Sequence, residues 1–103
     1  MTKIPVLANV VVLGSGPVLS ANLSNYASVA IWANADVFYA LGNAAITANS
    51  ANVSTNFFLP ANATYEFNHR RYAGSLDAYG TSHISFVRAG ANPVGVYITA
   101  YEQ

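Results

Sequence analysis

Apolar and polar positions alternate with a period of two along much of the chain, the pattern of strands with one face turned to a core. In Ser28–Ala33, Val29, Ile31 and Ala33 fall on one face and Ser28, Ala30 and Trp32 on the other. Residues 37–41 repeat the pattern with Val37, Tyr39 and Leu41 together. Thr64–Asn68 sets Tyr65 and Phe67 inward, and His83–Arg88 sets Ile84 and Phe86 inward with His83 and Ser85 outward. The longest run is 94–101, with Val94, Val96, Ile98 and Ala100 on one face and Gly95, Tyr97, Thr99 and Tyr101 on the other. Shorter strands are predicted at 10–13 and within 18–23, and no stretch carries a capped 3.6-residue period.

Turn chemistry separates these runs. Asn34-Ala35-Asp36 is a short polar link that predicts a hairpin between the strands at 28–33 and 37–41. Residues 44–56 are mostly small and polar and read as a loop, with room for a short strand at 45–48. Pro60-Ala61-Asn62-Ala63 is a turn, as is Ala89-Gly90-Ala91-Asn92-Pro93. Residues 69–80, the most polar stretch, read as a long surface loop. Regular short strands with turns between them predict an all-β fold, a single jelly-roll-like antiparallel β-sandwich over residues 14–103. Residues 1–13 form an extended N-terminal arm or a first strand. Lys3 ahead of an apolar stretch faintly suggests a signal peptide, but Pro5 and Asn9 interrupt that stretch and no clean A-x-A site follows.

Composition sharpens this picture. The chain has 103 residues, enough for one domain that buries about two-thirds of its surface without covalent staples. It has no cysteine, which excludes disulfides and Cys-based zinc sites. Its net charge is zero, so neither nucleic acid nor an anionic membrane finds an electrostatic footprint. No apolar stretch is long enough for a spanning helix. Charged residues are 8% of the chain, against about 25% in an ordinary soluble domain, while 53% are hydrophobic. So apolar a surface is expected to be covered, by further copies or by a larger assembly.

Candidate chemistry is sparse, and no cofactor, metal or catalytic residue is expected. Asp36, Glu66, Asp77 and Glu102 are scattered and show no paired-carboxylate arrangement. His69, His83 and Asp77 could meet across the polar loop, but a metal site normally wants three or four ligands at a recognisable spacing. Gly14-Ser15-Gly16-Pro17 is a glycine turn, neither a nucleophile elbow nor a phosphate cradle. Arg70-Arg71 suits an acidic partner or a solvated loop apex. Asn22-Leu23-Ser24, Asn52-Val53-Ser54 and Asn62-Ala63-Thr64 match the glycosylation pattern, as chance alone would give in so Asn-rich a chain. The chain has seven tyrosines and one tryptophan. Tyr97 and Tyr101 lie opposite the aliphatic face of their strand, where they form an interface or sugar-stacking platform, or are covered by a loop of the same chain.

The order of motifs resembles a known group. Residues 26–33 follow a "VxVxN" pattern and 37–42 a "VFVxFG" pattern; 58–67 then follow "LPAGxxExF", and 94–101 end as "xVxVTxYE". Over about residues 18–101 the chain looks like the small β-sandwich proteins of tailed-phage virions, especially capsid decoration (cement) proteins. Asn62 stands where that pattern favours Gly, and Asn tolerates the positive φ such a turn requires. The resemblance implies a homotrimer on the outer capsid surface that clamps neighbouring major capsid protein subunits, without catalysis. Its contacts are expected at Ile4, Val6 and Leu7 of the arm and at Trp32, Arg70, Arg71, Tyr72, Tyr97 and Tyr101. The alternative, from the tyrosine content, Trp32 and the Asn-rich loops, is a carbohydrate- or receptor-binding module displayed on the virion, with Tyr72, Tyr79, Tyr97 and Tyr101 as contacts.

Overall fold

The computed structural model describes residues 4–23, 26, 28–42, 44–48, 56–68 and 82–102. Within them the chain forms eight strands: β1 (Ile4–Leu13), β2 (Val18–Leu19), β3 (Ser28–Ala33), β4 (Val37–Gly42), β5 (Phe57–Leu59), β6 (Thr64–Asn68), β7 (His83–Arg88) and β8 (Val94–Glu102). They make two four-stranded sheets in the orders β1-β8-β3-β6 and β2-β7-β4-β5, with every pairing antiparallel. The pairings are nested, β1 with β8, β2 with β7, β3 with β6 and β4 with β5. The protein is thus an antiparallel β-sandwich, jelly-roll-like in its strand order.

The core lies between the sheets and is built by the inward halves of the alternating runs. Leu13, Val29, Ile31, Val96 and Ile98 come from the first sheet and Val37, Leu59, Ile84 and Phe86 from the second, all nearly inaccessible. Each such side chain contributes about 1.5–3 kcal/mol through burial, so the two faces hold each other with no covalent link. Tyr39 completes the core as an aromatic hub, its ring centroid 5.4 Å from Phe57, 5.9 Å from Phe67 and 6.3 Å from Phe86.

The link at 34–36 does not make the expected hairpin. β3 and β4 lie in opposite sheets, each already flanked on both sides: β3 by β8 and β6, β4 by β7 and β5. The link is a corner between sheets, and its polar groups are spent on neighbouring turns. Asp36 Oδ1 accepts from the Ala61 N–H at 2.8 Å, and the Asp36 carbonyl accepts from the Ala89 N–H at 3.1 Å. The Asn62 N–H donates to the Ala33 carbonyl at 2.8 Å. Asn62 itself has φ 65°, in the left-handed region, and the Ala63 N–H closes its turn onto the Pro60 carbonyl at 3.2 Å.

Of the two forms expected for residues 1–13, the described residues 4–13 take the first strand rather than the arm. They form β1, paired with β8 from Ile4↔Glu102 to Leu13↔Val94, with a register shift between Pro5 and Leu7 that leaves Val6 unmatched. The stretch 45–48 is not a strand either. After a turn at 44–45 it folds back over the outer face of the second sheet, where Ala48 packs with Ala40 and Val87, flanked by Phe38 and Ile46. The Ala48 N–H donates to Ser85 Oγ at 2.9 Å, so the outward-pointing Ser85 is buried under this strap. A Cβ on Gly42 would come within 2.8 Å of Ile46 Cβ, which is why a residue without one stands there. The loop expected at 69–80 lies outside the described residues, apart from which the segment 44–56 is described only at 44–48 and at 56.

Candidate functional site

The two outer faces of the sandwich differ. The second sheet carries the strap just described, whereas the first presents rows of side chains running across its strands, exposed at Val10, Val12 and Tyr97, half-buried at Ala30, Trp32, Thr99 and Tyr101, and buried at Ser28. One row is Val10–Tyr97–Trp32–Thr64, set by the pairings Val10↔Tyr97, Trp32↔Tyr97 and Trp32↔Thr64. Towards one end Val12 pairs with Gly95, and Asn34 continues that row through its hydrogen bonds to Gly95. Towards the other end comes Ala8–Thr99–Ala30–Glu66, followed by Pro5–Tyr101–Ser28. Among these outward positions Glu66 is the one carboxylate.

Apolar exposure concentrates on β1. Val12 is 69% exposed, Ile4 59%, Val10 55% and Val6 44%, and Tyr97 on the adjoining strand is 48% exposed. β1 is also the edge of its sheet, ten residues long, with no charged side chain. Natural edge strands are usually blunted by lysine, by proline or by a bulge. Here Pro5 and the irregularity at Val6 do this at one end only, and 7–13 pairs with β8 without interruption.

Trp32 and Tyr97 face each other on neighbouring strands, ring centroids 5.3 Å apart and planes tilted by 48°. Beside them, Asn34 Oδ1 accepts from the Gly95 N–H at 3.0 Å, which fixes the side-chain amide. A Cβ built on Gly95 would meet Asn34 Nδ2 at 3.9 Å, Tyr97 Cε2 at 3.6 Å and the Tyr97 hydroxyl at 3.9 Å. Asn34 and Tyr97 thus flank the same small space over the Gly95 backbone.

Of the residues expected to make contacts, Ile4, Val6, Trp32, Tyr97 and Tyr101 share this sheet. Ile4, Val6 and Tyr97 are exposed, Trp32 and Tyr101 half-buried. Leu7 differs: it turns inward and packs against the core. Arg70, Arg71 and Tyr72, like Tyr79, lie outside the described residues. Sequence reasoning missed Val10 and Val12, because Val10-Val11-Val12-Leu13 is apolar on both faces and its period of two is hidden. It also missed the exposed Phe57 and Phe58 on β5, the edge of the second sheet. Phe58 stacks at 5.5 Å on Phe38, a partner that only the register reveals.

Titratable groups do not gather among the described residues. Among the described residues no three His, Cys, Asp or Glu side chains come together as a metal site would require. His83 Nδ1 lies 2.7 Å from Ser82 Oγ, while His69 and Asp77 are outside the described residues. Burial, helped by the nearby Tyr65 phenol, pushes the Tyr39 hydroxyl above its ordinary pKa of 10.0. No helix among the described residues is long and apolar enough to cross a membrane.

No family model and no curated protein matches the chain. Among solved structures, a de novo designed double-stranded β-helix determined by solution NMR is similar over 96% of this chain and 95% of that one, at 15% sequence identity and a TM-score of 0.44.

Proposed function

We propose that this chain is a structural virion protein of the capsid decoration, or cement, type. It sits on the outer capsid surface as an oligomer, a trimer in the form the resemblance to phage proteins implies, and clamps neighbouring major capsid protein subunits. The observation that carries the reading is β1: a ten-residue edge strand without a charge, with Ile4, Val6, Val10 and Val12 exposed. Leaving so much aliphatic surface in water is unfavourable by about 25 cal/mol for each Å², and a neighbouring subunit removes that cost. The open backbone of an edge strand adds unpaired donors and acceptors that another chain's strand can satisfy. A charge content of 8% supports the same reading, since it leaves little to keep separate copies apart.

The test is the solution mass of the purified protein, followed by its binding to emptied capsids with and without Val6→Lys and Val12→Lys. An oligomer that sediments with capsids, and loses that binding when the lysines are introduced, supports the reading. A monomer that ignores capsids overturns it.

A further inference from the structure

We propose that β1 pairs with the β1 of a second copy of this chain, antiparallel across a two-fold axis at Val10, so that two four-stranded sheets join into one of eight strands. The inference rests on the reading of β1 as a contact strand. It gives that contact a partner, a register and a two-fold, where the resemblance implies three copies.

Among the described residues the two sheets end on four edge strands. β2 offers two residues, β5 three, and β6 five that include Glu66. Shortness and charge are ordinary protections against pairing with another chain. β1 lacks both: residues 7–13 run regularly beside β8, carry no charge and leave a strand edge about 24 Å long. The backbone groups along that edge are satisfied by an extended strand, and a second copy brings one of matching length that is equally free of charge. The net charge of the chain is zero, so two copies approach without repulsion. A two-fold contact uses each β1 once, and the remaining edges are short or charged, so assembly through this contact stops at two.

The faces of the strand fix the register. Leu7, Val11 and Leu13 pack on the core, while Ala8, Val10 and Val12 are exposed. Directly opposed residues in an antiparallel pair share a face, and a slip of one residue would set the buried face of one copy against the exposed face of the other. The axis therefore passes through a residue position, not between two. Centred on Val10, all of 7–13 pairs: Leu7 opposes the partner's Leu13, Ala8 the partner's Val12, Asn9 the partner's Val11, and Val10 the partner's Val10. Centred on Val11, the pairing shrinks to 9–13. Centred on Asn9, it sets Pro5 and the irregularity at Val6 opposite Leu13 and Val12. The Val10 register thus pairs the longest regular stretch. It gives Val10 and Val12, 55% and 69% exposed, aliphatic neighbours across the axis, and Tyr97 backs Val10 from β8.

The chain has no cysteine, so an introduced one reports its neighbour without background. The experiment is mild oxidation of the full chain carrying Val10→Cys, Ala8→Cys or Val12→Cys, with the disulfide-linked dimer read on a denaturing gel. Opposed Cβ atoms lie about 5 Å apart, within reach of a disulfide, whereas position 8 or 12 lies about 14 Å from its own copy. The expected result is that Val10→Cys crosslinks about tenfold faster or more than Ala8→Cys or Val12→Cys alone. An equimolar mixture of Ala8→Cys and Val12→Cys, oxidised after subunit exchange, should form the mixed dimer about as fast as Val10→Cys forms its own. Should Val10→Cys fail to fold, the mixture alone decides. Equal rates for the three single variants overturn the proposal, as does a mixed dimer that forms no faster than its parents. A parent chain that sediments as a monomer up to millimolar concentration overturns it too. Binding of the parent to emptied capsids separates this failure from that of the cement reading: a parent that binds them while the crosslinks fail leaves that reading standing, and a Val10→Cys dimer that ignores them keeps the pairing and sinks the reading.

Discussion

Asn34 and Gly95 bond each other twice. The Asn34 N–H donates to the Gly95 carbonyl at 3.2 Å, and Asn34 Oδ1 accepts from the Gly95 N–H at 3.0 Å. The corner between β3 and β4 is thereby tied to the start of β8, and the same pair holds the amide beside Tyr97. Asn34→Ala removes the side-chain half of this arrangement in an exposed setting and should cost about 1 kcal/mol in urea unfolding. Asn34→Asp keeps the acceptor and should recover most of that loss. Equal losses for the two variants would mean that the side-chain bond contributes nothing.

The turn at 60–63 should show a sharper sequence dependence. Asn62 sits at φ 65°, where a β-branched side chain is strained. Asn62→Gly should change stability by a few tenths of a kcal/mol, whereas Asn62→Val should cost about 1–2 kcal/mol. Equal unfolding midpoints for the two variants would contradict the left-handed geometry.

That turn was legible because its cause is local: one residue type tolerates one backbone conformation. Faces of strands were legible for the same reason, since the alternation in Val94, Val96, Ile98 and Ala100 needs only neighbours in sequence. Strand neighbours were not. Ile4 pairs with Glu102, and Ala33 with Val96, across most of the chain, while the short link that suggested a hairpin is a corner. Local pattern ranks a two-residue period well and a sheet order poorly. The strap at 44–48 escaped for a further reason. Ala48 is small, and its burial comes from Ala40 and Val87 beneath it rather than from any period of its own. On the candidate surface, the Tyr97 and Tyr101 face was readable from β8 alone, but the juxtaposition of Tyr97 with Trp32 and Asn34 needed the register.

Gly42 tests the strap. A methyl group there would meet Ile46 Cβ, an atom fixed to the backbone that cannot rotate aside. Gly42→Ala should therefore lift 44–48 from the sheet and cost about 1–3 kcal/mol, as overpacking does. Hydrogen exchange gives the specific readout: the Ala48 N–H, bonded to Ser85 Oγ, should exchange much faster, while Ile98 in the core sandwich should lose only the global difference. Unchanged protection at Ala48 would show that the strap tolerates the methyl group.

Tyr39 sets a limit at high pH. Its hydroxyl is held above the ordinary value, chiefly by burial and secondarily by Tyr65. Above pH 10 the unfolded chain releases this proton before the folded one does, so the folded state binds more protons and stability falls as pH rises. Below pH 10 the contribution is fully present. Urea unfolding from pH 8 upward should show a decline beginning near 10, and Tyr39→Phe should flatten it. Identical slopes in both proteins would place the decline elsewhere.

Val11 and Val12 separate folding from association within one strand. Val11 is 5% exposed and faces the core, whereas Val12 is 69% exposed and faces outward. Val11→Ala should cost about 2 kcal/mol, because it removes two buried methyl groups and leaves a cavity. Val12→Ala should stay within about 0.5 kcal/mol, since nothing in the folded chain covers it. Val12→Lys extends the contrast: the monomer should remain as stable, but a cation on the edge strand opposes pairing with any second strand. Sedimentation at rising concentration should then show a smaller assembly for Val12→Lys than for the parent, at equal urea midpoints once both are diluted to monomer. If Val12→Lys instead destabilises the chain as much as Val11→Ala does, the outward face of β1 is part of the core, and its exposure cannot be what draws a partner.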